Sequence, residues 1–403
     1  MNIFVINSGS SSIKYQLFKM PDETPVCSGL IERIGLGNSL IRHKIYCDTE
    51  EKVVERILDL PDHEAGLQEV LRLLTDSEIG VINNPEEIYA VGHRVVHGGE
   101  NFAATSFISD EVKDKIKELF PLAPLHNPPN YMGIEVAEKI FTRARQIAVF
   151  DTAFHQTLPE KAYRYAIPKS YYTDLKIRAY GFHGTSHKYV TEKAIAYLNN
   201  PEAKLITIHL GNGCSMAAVS NGRSVDTSMG FGPLSGLVMG TRSGDIDPSI
   251  IFHLINQLGY DPEQVNSLLN KRSGMLGMTG YSDMRDIERA INEGSKDAEL
   301  ASELYAYRIQ KYIGAYAAAL NGLDAIVFTA GVGENDSLMR QRVCSNLDFF
   351  GIIPDAEKNK IRSSNLREIN KDGSRVKILV IPTNEELEIA KQCLELLENE
   401  NQV

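Results

Sequence analysis

Residues 5–13 read VINSGSSSI, a short apolar run followed by a turn of small polar residues and the start of a second apolar run. Residues 207–216 repeat this scheme in the second half of the chain as TIHLGNGCSM. This order of runs and turn is typical of a β-hairpin. Two such hairpins, one near the start of each half, favour two related domains. A chance likeness between two common hairpins is the alternative, and the sequence alone leaves both explanations open.

The rest of the chain mixes predicted strands with predicted helices. Short apolar runs predict strands, which in chain order are Ile3–Ile6, Ile13–Leu17, Ile88–Val91, Ile147–Phe150, Leu205–Leu210, Ala325–Thr329 and Ile378–Ile381. Helical periodicity is clearest over Leu304–Leu320, which Gly322 would end, and a further helix is predicted over Glu385–Leu397. This mixture predicts an α/β protein, and 403 residues exceed one ordinary core, so we expect two domains. The apolar segment Pro121–Pro129 predicts a fixed loop and no linker.

The composition is that of an ordinary globular protein, with 43% hydrophobic and 24% charged residues. A net charge of −11 disfavours a broad nucleic-acid surface, which needs an excess of Lys and Arg. The cysteines are odd in number and widely spaced, which disfavours a disulfide framework or a structural zinc site. The N-terminus lacks the pattern of a signal peptide, and no run approaches the ~20 apolar residues of a membrane helix. We therefore expect a cytoplasmic protein with no membrane or nucleic-acid partner.

Three turns rich in glycine or serine are candidates for holding phosphate groups. The standard phosphate loop is excluded because the chain contains no Gly-Lys dipeptide. Small residues instead let backbone amides approach phosphate oxygens, and they occur over Asn7–Lys14, His209–Gly213 and Thr329–Asn335. The third is predicted to be a turn that leads into a helix over Leu338–Val343, where an anion can bind. Each turn alone is explained by an ordinary loop, but three together favour a polyphosphate ligand.

Two carboxylates, Asp151 and Glu385, follow predicted strands. Carboxylates at strand ends suit Mg²⁺, which takes one or two of them together with substrate phosphates. Glu385 is equally typical of an acidic residue in the first turn of a helix capped by Thr383 or Asn384. Asp151 is therefore the stronger candidate from the residues alone.

Three basic residues lie in apolar or glycine-rich surroundings, namely Arg94, His183 and Arg242. Phosphoryl transfer needs donors aimed at the equatorial oxygens of the transferring group, and the planar fork of Arg suits that task. A structural ion pair or a buried, hydrogen-bonded histidine is the alternative for each. A metal-ligand interpretation is disfavoured for two histidine pairs that lack a well-spaced third ligand, His93 with His97 and His183 with His187.

A series of motifs runs along the chain, and its order is highly specific. The motifs are NSGSSSIK at Asn7–Lys14, GHRVVHGGE at Gly92–Glu100, PLAPLHNPPN at Pro121–Asn130, VFDTAFH at Val149–His155, YGFHGTSH at Tyr180–His187, HLGNGCS at His209–Ser215, DTSMGFGPLSGLVMGTRSGDIDP at Asp226–Pro248, YSDMRD at Tyr281–Asp286, TAGVGEN at Thr329–Asn335 and PTNEE at Pro382–Glu386. With these motifs the chain resembles the acetate kinases, of the sugar-kinase/actin/Hsp70-like superfamily. Asp22–Pro61 and Asp355–Val376 carry no comparable signal.

This resemblance implies two duplicated ribonuclease-H-like α/β domains, with the active site in an interdomain cleft. The N-terminal domain would comprise residues 1–150 joined by the C-terminal helix 386–403, and the nucleotide-binding domain residues 151–385. The implied activity is reversible, Mg²⁺-dependent transfer of the ATP γ-phosphoryl group to acetate, giving acetyl phosphate and ADP, in acetate metabolism and acetyl-CoA biosynthesis. Mn²⁺ is an alternative metal, and the resemblance also implies a homodimer.

The resemblance assigns roles to individual residues. Mg²⁺ would be held by Asn7 and Glu385. The substrate carboxylate would be bound by Arg94, and the pocket for its methyl group would be lined by Val96, Leu125, Phe182 and Pro233. ATP would be bound by Lys14, His209, Leu210, Gly211, Asn212, Gly213, Asp283, Met284, Arg285, Gly331, Val332, Gly333, Glu334 and Asn335. The transition state would be stabilised by His183 and Arg242. Asp151 is the implied catalytic acid/base, but acetate is already ionised at neutral pH, so orienting Mg²⁺ or an arginine is the alternative role.

Other functions compete with this one. Propionate is an alternative acceptor, because one methylene in a hydrophobic pocket gives only about 1–3 kcal/mol of discrimination. An ATP-switched chaperone or filament of the same superfamily needs a peptide-binding domain or assembly surfaces, and none is expected after Glu386. The presence of Asp151, His183 and Arg242 disfavours a non-catalytic nucleotide sensor. The physiological direction, the metal preference and the geometry of the oligomer stay open.

Overall fold

The structure of this chain is a computed structural model that describes residues 1–47 and 51–400. The chain divides into two compact units: the first comprises residues 1–153 and the segment from Asn384 onward, and the second comprises Phe154–Thr383. The boundaries expected from the sequence are 150/151 and 385/386, whereas Asp151 and Glu385 both belong to the first unit. Residues 48–50 and 401–403, which the predicted N-terminal domain includes, lie outside the described residues.

The first unit contains an eight-stranded sheet in the order β5-β4-β3-β2-β1-β6-β8-β7. Its strands are β1 (Asn2–Ser8), β2 (Ser12–Lys19), β3 (Thr24–Glu32), β4 (Ser39–Tyr46), β5 (Glu51–Leu58), β6 (Ile88–Val95), β7 (Ser106–Phe107) and β8 (Arg145–Phe150). Its first three α-helices are α1 (His63–Leu74), α2 (Asp110–Glu118) and α3 (Asn127–Ile140). Short 3₁₀ turns occur at Pro85–Glu87 and Phe120–Leu122, and a third at Ala153–Thr157 continues into the second unit.

The second unit contains a six-stranded sheet in the order β11-β10-β9-β12-β14-β13. Its strands are β9 (Lys204–Leu210), β10 (Cys214–Ser220), β11 (Arg223–Thr227), β12 (Ala325–Thr329), β13 (Arg367–Glu368) and β14 (Lys377–Val380). Its helices are α4 (Glu160–Tyr163), α5 (Lys169–Thr173), α6 (Gly184–Leu198), α7 (Ser249–Asn256), α8 (Pro262–Lys271), α9 (Gly274–Thr279), α10 (Met284–Asn292), α11 (Lys296–Leu320), α12 (Ala330–Asn335), α13 (Ser337–Cys344) and α14 (Ala356–Lys360), with a 3₁₀ turn at Asp348–Phe350. The last helix, α15 (Glu385–Glu400), returns to the first unit.

Both sheets contain the same arrangement of five strands. In the first, β1 pairs antiparallel with β2 and β2 with β3, whereas β6 lies parallel to β1 and β8 parallel to β6. In the second, β9, β10 and β11 form the antiparallel part, and β12 and β14 follow in parallel beside β9. The two hairpins recognised in the sequence are β1–β2 and β9–β10, and each occupies the same place in its sheet. This shared topology favours two related units over a chance likeness.

Strand β1 lies inside the first sheet and is covered on both faces. Ile3–Ile6 are all buried, although successive side chains of a strand point to opposite faces. Helices α3 and α15 both contact this strand. On β6 the approach of α15 is so close that a Cβ on Gly92 would lie 2.7 Å from Cys393 Sγ and 2.8 Å from Ile389 Cγ2. Glycine at this position therefore lets the final helix pack on the sheet.

The predicted strands and the helices over Leu304–Leu320 and Glu385–Leu397 are confirmed, but two predicted loops are wrong. Ala330–Asn335 forms α12 directly after β12, because Ala330 takes a left-handed φ of 63° and its amide donates to Glu334 Oε1 at 2.9 Å. The segment Pro121–Pro129 contains a 3₁₀ turn and the start of α3, whose first turn tolerates prolines because its amides have no helical acceptor. Within the described ranges, no helix is both long enough and apolar enough to span a membrane.

Candidate active site

Four polar side chains of the first unit meet at one edge of its sheet. Asn7 and Arg94 lie near the ends of the neighbouring strands β1 and β6, and Asp151 directly follows β8. Arg94 donates from Nε to Asp151 Oδ1 at 3.2 Å and Oδ2 at 3.0 Å, and from Nη2 to Oδ2 at 2.5 Å. Its Nη1 donates to Asn7 Oδ1 at 3.4 Å, and its Nε lies 3.9 Å from Oε2 of Glu385, the first residue of α15. We call these four residues the Arg94 cluster.

The charges of the Arg94 cluster are only partly balanced. Burial alone would lower the pKa of the Arg94 guanidinium, but the carboxylates of Asp151 and Glu385 outweigh it and raise that pKa. Burial raises the pKa of Glu385. Arg94 lowers this pKa, whereas the carboxylates of Asp151 and Glu386 raise it further. Glu386 forms a 2.6 Å ion pair with Lys14. Within the cluster one guanidinium therefore faces two carboxylates, and a net negative charge is left.

The donor atoms of the Arg94 cluster fit a divalent cation. Mg²⁺ prefers hard oxygen ligands and is usually held by one or two carboxylates together with water and phosphate. The cluster supplies the Glu385 carboxylate and the amide oxygen of Asn7, whose hydrogen bond from Arg94 is long at 3.4 Å. Across residues 1–47 and 51–400 there is no group of three His, Cys, Asp or Glu side chains placed to hold a metal. A cation here would therefore also need ligands from phosphate or water.

Two asparagines that the sequence reasoning missed hold the backbone beside this cluster. Asn130 accepts from the amide of Val96 at 3.1 Å and donates to the carbonyl of Ser8 at 2.7 Å. Asn127 accepts from the amide of His97 at 3.0 Å and donates to its carbonyl at 3.0 Å. Both asparagines are buried in the first turn of α3. They tie the ends of β1 and β6 to that helix and so fix the backbone next to Asn7 and Arg94.

The residues predicted to line the methyl pocket belong to both units. In the first unit Val96 is buried, whereas the side chain of Leu125 is 57% exposed. In the second unit Phe182 is buried, and the carbonyl oxygen of Pro233 accepts a 2.9 Å hydrogen bond from Arg242 Nη1. It stays a prediction that these four residues together line one pocket for the methyl group.

In the second unit His183 precedes α6 in a left-handed conformation, with a φ of 56°. Such a conformation is uncommon outside glycine and is often found at functional sites. The Nδ1 atom of His183 lies 2.9 Å from Ser215 Oγ, and its ring stacks on that of His209 at 4.2 Å. His209 Nδ1 in turn lies 2.8 Å from Ser186 Oγ. The position and ring plane of His183 are thus defined by several neighbours.

Gly213 separates the side chains of His183 and Arg242. A Cβ built on this glycine would lie 3.4 Å from His183 Nε2 and 3.7 Å from Arg242 Nη1. Both nitrogens therefore face the same small space above Gly213. Burial lowers the pKa of the Arg242 guanidinium from its ordinary value. An imidazole nitrogen and a guanidinium nitrogen thus lie close to one point, where both could contact a phosphoryl group.

A pocket of about 720 Å³ lies within the second unit. Eight residues predicted to bind ATP line it, namely Gly211, Asn212, Asp283, Met284, Arg285, Gly331, Val332 and Asn335. Asp283 caps α10 and pairs with the Arg285 side chain at 2.6 Å, and the hydrogen bonds from Arg285 lower the pKa of Asp283 to about 2. The remaining predicted ATP residues are not among the described lining residues, namely Lys14, His209, Leu210, Gly213, Gly333 and Glu334.

Several lining residues were not assigned from the sequence, namely Gly240, Met275, Ser282, Glu288, Tyr305, Asp336, Ser337, Leu338 and Arg362. Gly240 and Ser282 lie inside quoted motifs, so a closer reading of those motifs could have found them. Arg362 lies in a stretch without any recognisable motif, and only the fold brings it to the pocket. Glu334 holds backbone near the pocket, since its Oε1 accepts from the amides of Ala330, next to the lining residue Gly331, at 2.9 Å and of Thr383 at 3.0 Å.

Comparisons with known proteins agree with the fold and the motifs. Residues 2–391 match the family model described as the acetokinase family. An acetate kinase of Flavobacterium johnsoniae is 62% identical over 99% of this chain and 100% of its own length. The crystal structure of Porphyromonas gingivalis acetate kinase superposes with a TM-score of 0.91 at 44% identity, covering 98% of this chain and 99% of that one. A propionate kinase from Francisella tularensis also gives a TM-score of 0.91, at 41% identity over 97% and 98% of the two chains. With a family match over nearly its whole length, this chain belongs to the acetokinase family.

Proposed function

We propose that this chain is an acetate kinase that reversibly transfers the γ-phosphoryl group of ATP to acetate, giving acetyl phosphate and ADP. The observation that carries the proposal is the convergence of His183 Nε2 and Arg242 Nη1 on the space above Gly213. Gly211 and Asn212, in the same turn as Gly213, line the large pocket of the second unit. A nucleotide in that pocket would place its terminal phosphate beside the two donors. Membership of the acetokinase family supports the same reaction.

The nucleotide part of the proposal rests on the described pocket wall. The backbone amide of Gly331 can approach a phosphate oxygen, because this glycine lies in the first turn of α12 and a Cβ on it would meet nothing within 4 Å. The pocket wall also carries the guanidinium groups of Arg285, which is paired with Asp283, and of Arg362. Lys14, His209, Leu210, Gly213, Gly333 and Glu334 keep their assignment to ATP as predictions.

The acceptor part assigns the acetate carboxylate to Arg94. The guanidinium is already fixed by the Asp151 carboxylate, so it is oriented before the acceptor arrives. We assign Val96 and Leu125 of the first unit to the methyl group of the acceptor, and Phe182 and Pro233 keep that assignment as predictions. Asp151 acts here by orienting Arg94, because an acetate ion carries no proton that a base must remove.

In the proposed reaction a carboxylate oxygen attacks the γ-phosphorus in line, and the bond to the β,γ-bridging oxygen breaks as the new P–O bond forms. The electron pair of the broken bond stays on ADP. The three equatorial oxygens carry much of the charge in the transition state, and His183 and Arg242 donate to them. No covalent enzyme intermediate is needed, since the acceptor itself is the nucleophile. The reverse reaction uses the same donors.

We further propose that Mg²⁺ is the metal, with Mn²⁺ as the alternative. Asn7 and Glu385 would hold it together with phosphate oxygens, and the net negative charge of the Arg94 cluster supports a cation there. When bound, Mg²⁺ offsets the charge of the polyphosphate. Asp151 and Arg94 would hold the Glu385 carboxylate and the acceptor carboxylate in place.

The proposal is tested by trapping the acyl phosphate. The purified chain is incubated with ATP, Mg²⁺ and hydroxylamine together with acetate, propionate or butyrate, and the hydroxamate is measured. We expect acetate to give the largest kcat/KM, and propionate a lower value, because a small pocket discriminates one methylene by about 10–200-fold. A larger kcat/KM with propionate would make the chain a propionate kinase, like its structural neighbour from Francisella tularensis. The absence of hydroxamate with every acceptor would contradict the proposed function.

Glu385→Gln should raise the Mg²⁺ concentration that gives half-maximal activity by about tenfold, because a neutral amide oxygen is a weaker ligand than a carboxylate. The measurement is initial rate against free Mg²⁺ at fixed MgATP. Glu395→Gln is the matched control, because Glu395 lies exposed on the same helix. An unchanged Mg²⁺ requirement in Glu385→Gln would remove this residue from the metal site.

Gly213→Ala should lower kcat by about tenfold or more, because the added methyl group fills the space in front of both donors and misplaces the phosphoryl group. The methyl group would lie 3.3–3.4 Å from the His183 ring, so the fold should tolerate it with a small adjustment. Gly314→Ala in α11 is the control, since its Cβ would meet only Phe350 at 3.8 Å. Equal kcat values for Gly213→Ala and the wild type would place the reacting phosphate elsewhere.

The proposed homodimer is supported by an apolar helix that the chain itself covers only in part. Helix α7 has the sequence SIIFHLIN, and no residue of this fully described helix is buried. Ile250 is 43% exposed and Phe252 is 63% exposed. We propose that a second copy of this chain covers α7. A charge at its centre should therefore prevent association.

Phe252→Asp should convert the dimer to a monomer in analytical ultracentrifugation at micromolar concentration. Phe349→Asp is the control, because Phe349 is 86% exposed at a different site and its substitution should leave the dimer intact. A dimer that persists in Phe252→Asp would show that another surface holds the two copies together.

A further inference from the structure

Three buried side chains of the second unit form a continuous line of hydrogen bonds that ends at the partly buried His183. Thr207 Oγ1 lies 2.7 Å from His187 Nδ1, and His187 Nε2 lies 2.7 Å from Ser215 Oγ. Ser215 Oγ lies 2.9 Å from His183 Nδ1. Thr207, Ser215 and His187 are each 0% exposed. We call these four residues the histidine relay.

The relay can run in one of two directions. A neutral imidazole has one donor and one acceptor nitrogen, and a hydroxyl group has a single proton to donate. Ser215 could accept from both imidazoles, but its own buried proton would then have no acceptor among the described hydrogen bonds. Acceptance from one ring and donation to the other is therefore favoured, and the whole line then has one direction. Burial, together with the neighbouring imidazoles of His155 and His209, lowers the pKa of His187 well below its ordinary value, so this ring is neutral. The tautomers of His187 and His183 are therefore coupled through Ser215.

The end of the line at Thr207 decides its direction. The other acceptor near the Thr207 hydroxyl is the carbonyl of Ala217 at 3.5 Å, which is at the limit of a hydrogen bond, whereas His187 Nδ1 lies at 2.7 Å. If His187 donated to Thr207, the distant carbonyl would be the one acceptor that the described residues offer to the buried hydroxyl proton. If Thr207 donates to His187, every proton of the line has an acceptor within 2.9 Å. The second direction is favoured because a buried donor without a good acceptor is costly.

We propose that the histidine relay fixes His183 as the neutral tautomer with its proton on Nε2, which faces the space above Gly213, and that His187 and Ser215 are positioning residues for it. Thr207 donates to His187 Nδ1, His187 Nε2 donates to Ser215 Oγ, and Ser215 donates to His183 Nδ1. His183 then donates from Nε2 without having to bind a second proton. This inference rests on the proposed function, because its catalytic consequence is a hydrogen bond to the transferring phosphoryl group.

The relay also orients the ring of His183. The serine fixes one ring nitrogen, and stacking on His209 at 4.2 Å fixes the ring plane. Nε2 is thereby held toward the point that Arg242 Nη1 also faces. A ring in the opposite tautomer would present a lone pair to a phosphate oxygen and repel it. The relay thus determines whether His183 attracts or repels the reacting group.

The tautomer is measured directly by nitrogen-15 NMR on the full chain with labelled histidine. The signals of His183 are assigned as those lost in His183→Gln. We expect a protonated Nε2 and an unprotonated Nδ1 at neutral pH, with and without bound ADP. A proton on Nδ1, or on both nitrogens, would overturn the proposal whether or not the chain is active.

Kinetics test the positioning role. Ser215→Ala should lower kcat for acetyl phosphate formation by about tenfold, with the KM for ATP almost unchanged, because the pocket wall is intact while the donor is misaligned. Among substitutions of His187, glutamine can still donate to Ser215 and should retain more activity than leucine. Ser224→Ala is the matched control, because it removes a buried hydroxyl that lies 2.8 Å from the different histidine His155. Equal kcat values for Ser215→Ala and Ser224→Ala would overturn the positioning role.

The outcomes separate this inference from the proposed function. If the wild type forms acetyl phosphate and Ser215→Ala does so equally fast, the relay is wrong and the function stands. If the wild type forms no acyl phosphate but His183 carries its proton on Nε2, the tautomer is right and the reaction is wrong. Circular dichroism and thermal melts of each variant exclude misfolding as the cause of a lower rate.

Discussion

Arg242→Ala is expected to lower kcat for acetyl phosphate formation by about a hundredfold to a thousandfold, which is the usual effect of removing one preorganised donor to a transition state. The guanidinium is fixed by a hydrogen bond to the carbonyl of Pro233 at 2.9 Å, and its Nη1 faces the space above Gly213. It is not among the described residues that line the large pocket, so the KM for ATP should change little. Steady-state kinetics with ATP varied at saturating acetate measure both quantities.

Two further variants sharpen this prediction. Arg242→Lys should recover only part of the rate, because an ammonium group lacks the planar fork of donors that spans two phosphoryl oxygens. Arg342→Ala is the control, because that arginine is partly buried in the same unit and donates to Ser302 away from the pocket. A variant Arg242→Ala that binds ATP poorly but turns over normally would assign this residue to nucleotide binding.

Asp151→Asn is expected to reduce kcat/KM for acetate by at least about a hundredfold, since an amide cannot balance the charge of the partly buried Arg94 guanidinium. The carboxylate receives three hydrogen bonds from Arg94, one of them at 2.5 Å, and is 1% exposed. Its loss would leave Arg94 with Glu385 as the nearby carboxylate and would turn the guanidinium away from the acceptor. The loss should appear in the initial rate against acetate concentration, at saturating MgATP.

The Asp151 prediction distinguishes orientation from proton transfer. If Asp151 orients Arg94, the activity that remains in Asp151→Asn should show the same pH dependence as the wild type. Glu69→Gln is the matched control, because Glu69 is 3% exposed and pairs with Arg56 and Arg72, so its loss should affect stability and not turnover. A rate for Asp151→Asn equal to that of the wild type at saturating Mg²⁺ would refute its role.

Most of the fold can be predicted from the sequence, because each central strand is a continuous apolar run of residues. Residues 5–13 are enough to predict the β1–β2 hairpin, and residues 207–216 predict β9–β10. The edge strands are different: β5 has no buried residue in its described span and is aligned by pairing with β4. Its stability comes from a neighbour and not from its own pattern, so its sequence carries little signal.

Some residues of the candidate site can likewise be recognised from the sequence, and others cannot. Arg94, Asp151 and Arg242 can be recognised because charged residues in apolar or glycine-rich surroundings are unusual. Asn130 and Ser215 cannot be recognised in this way, since their roles depend on hydrogen bonds to residues far along the chain, as Asn130 shows with Ser8. The turn predicted over Thr329–Asn335 became α12 because the Glu334 side chain satisfies the amide of Ala330. Contacts of this kind depend on the folded backbone and leave no periodic pattern in the sequence.

The proposed phosphoryl transfer is tested most directly by following the purified chain with ATP, Mg²⁺ and acetate by phosphorus-31 NMR. We expect the γ-phosphate signal of ATP to decline as an acetyl phosphate signal and ADP appear together, and Arg242→Ala to slow both changes. Release of inorganic phosphate at a rate that does not depend on acetate, with no acyl phosphate signal, would contradict the proposed transfer.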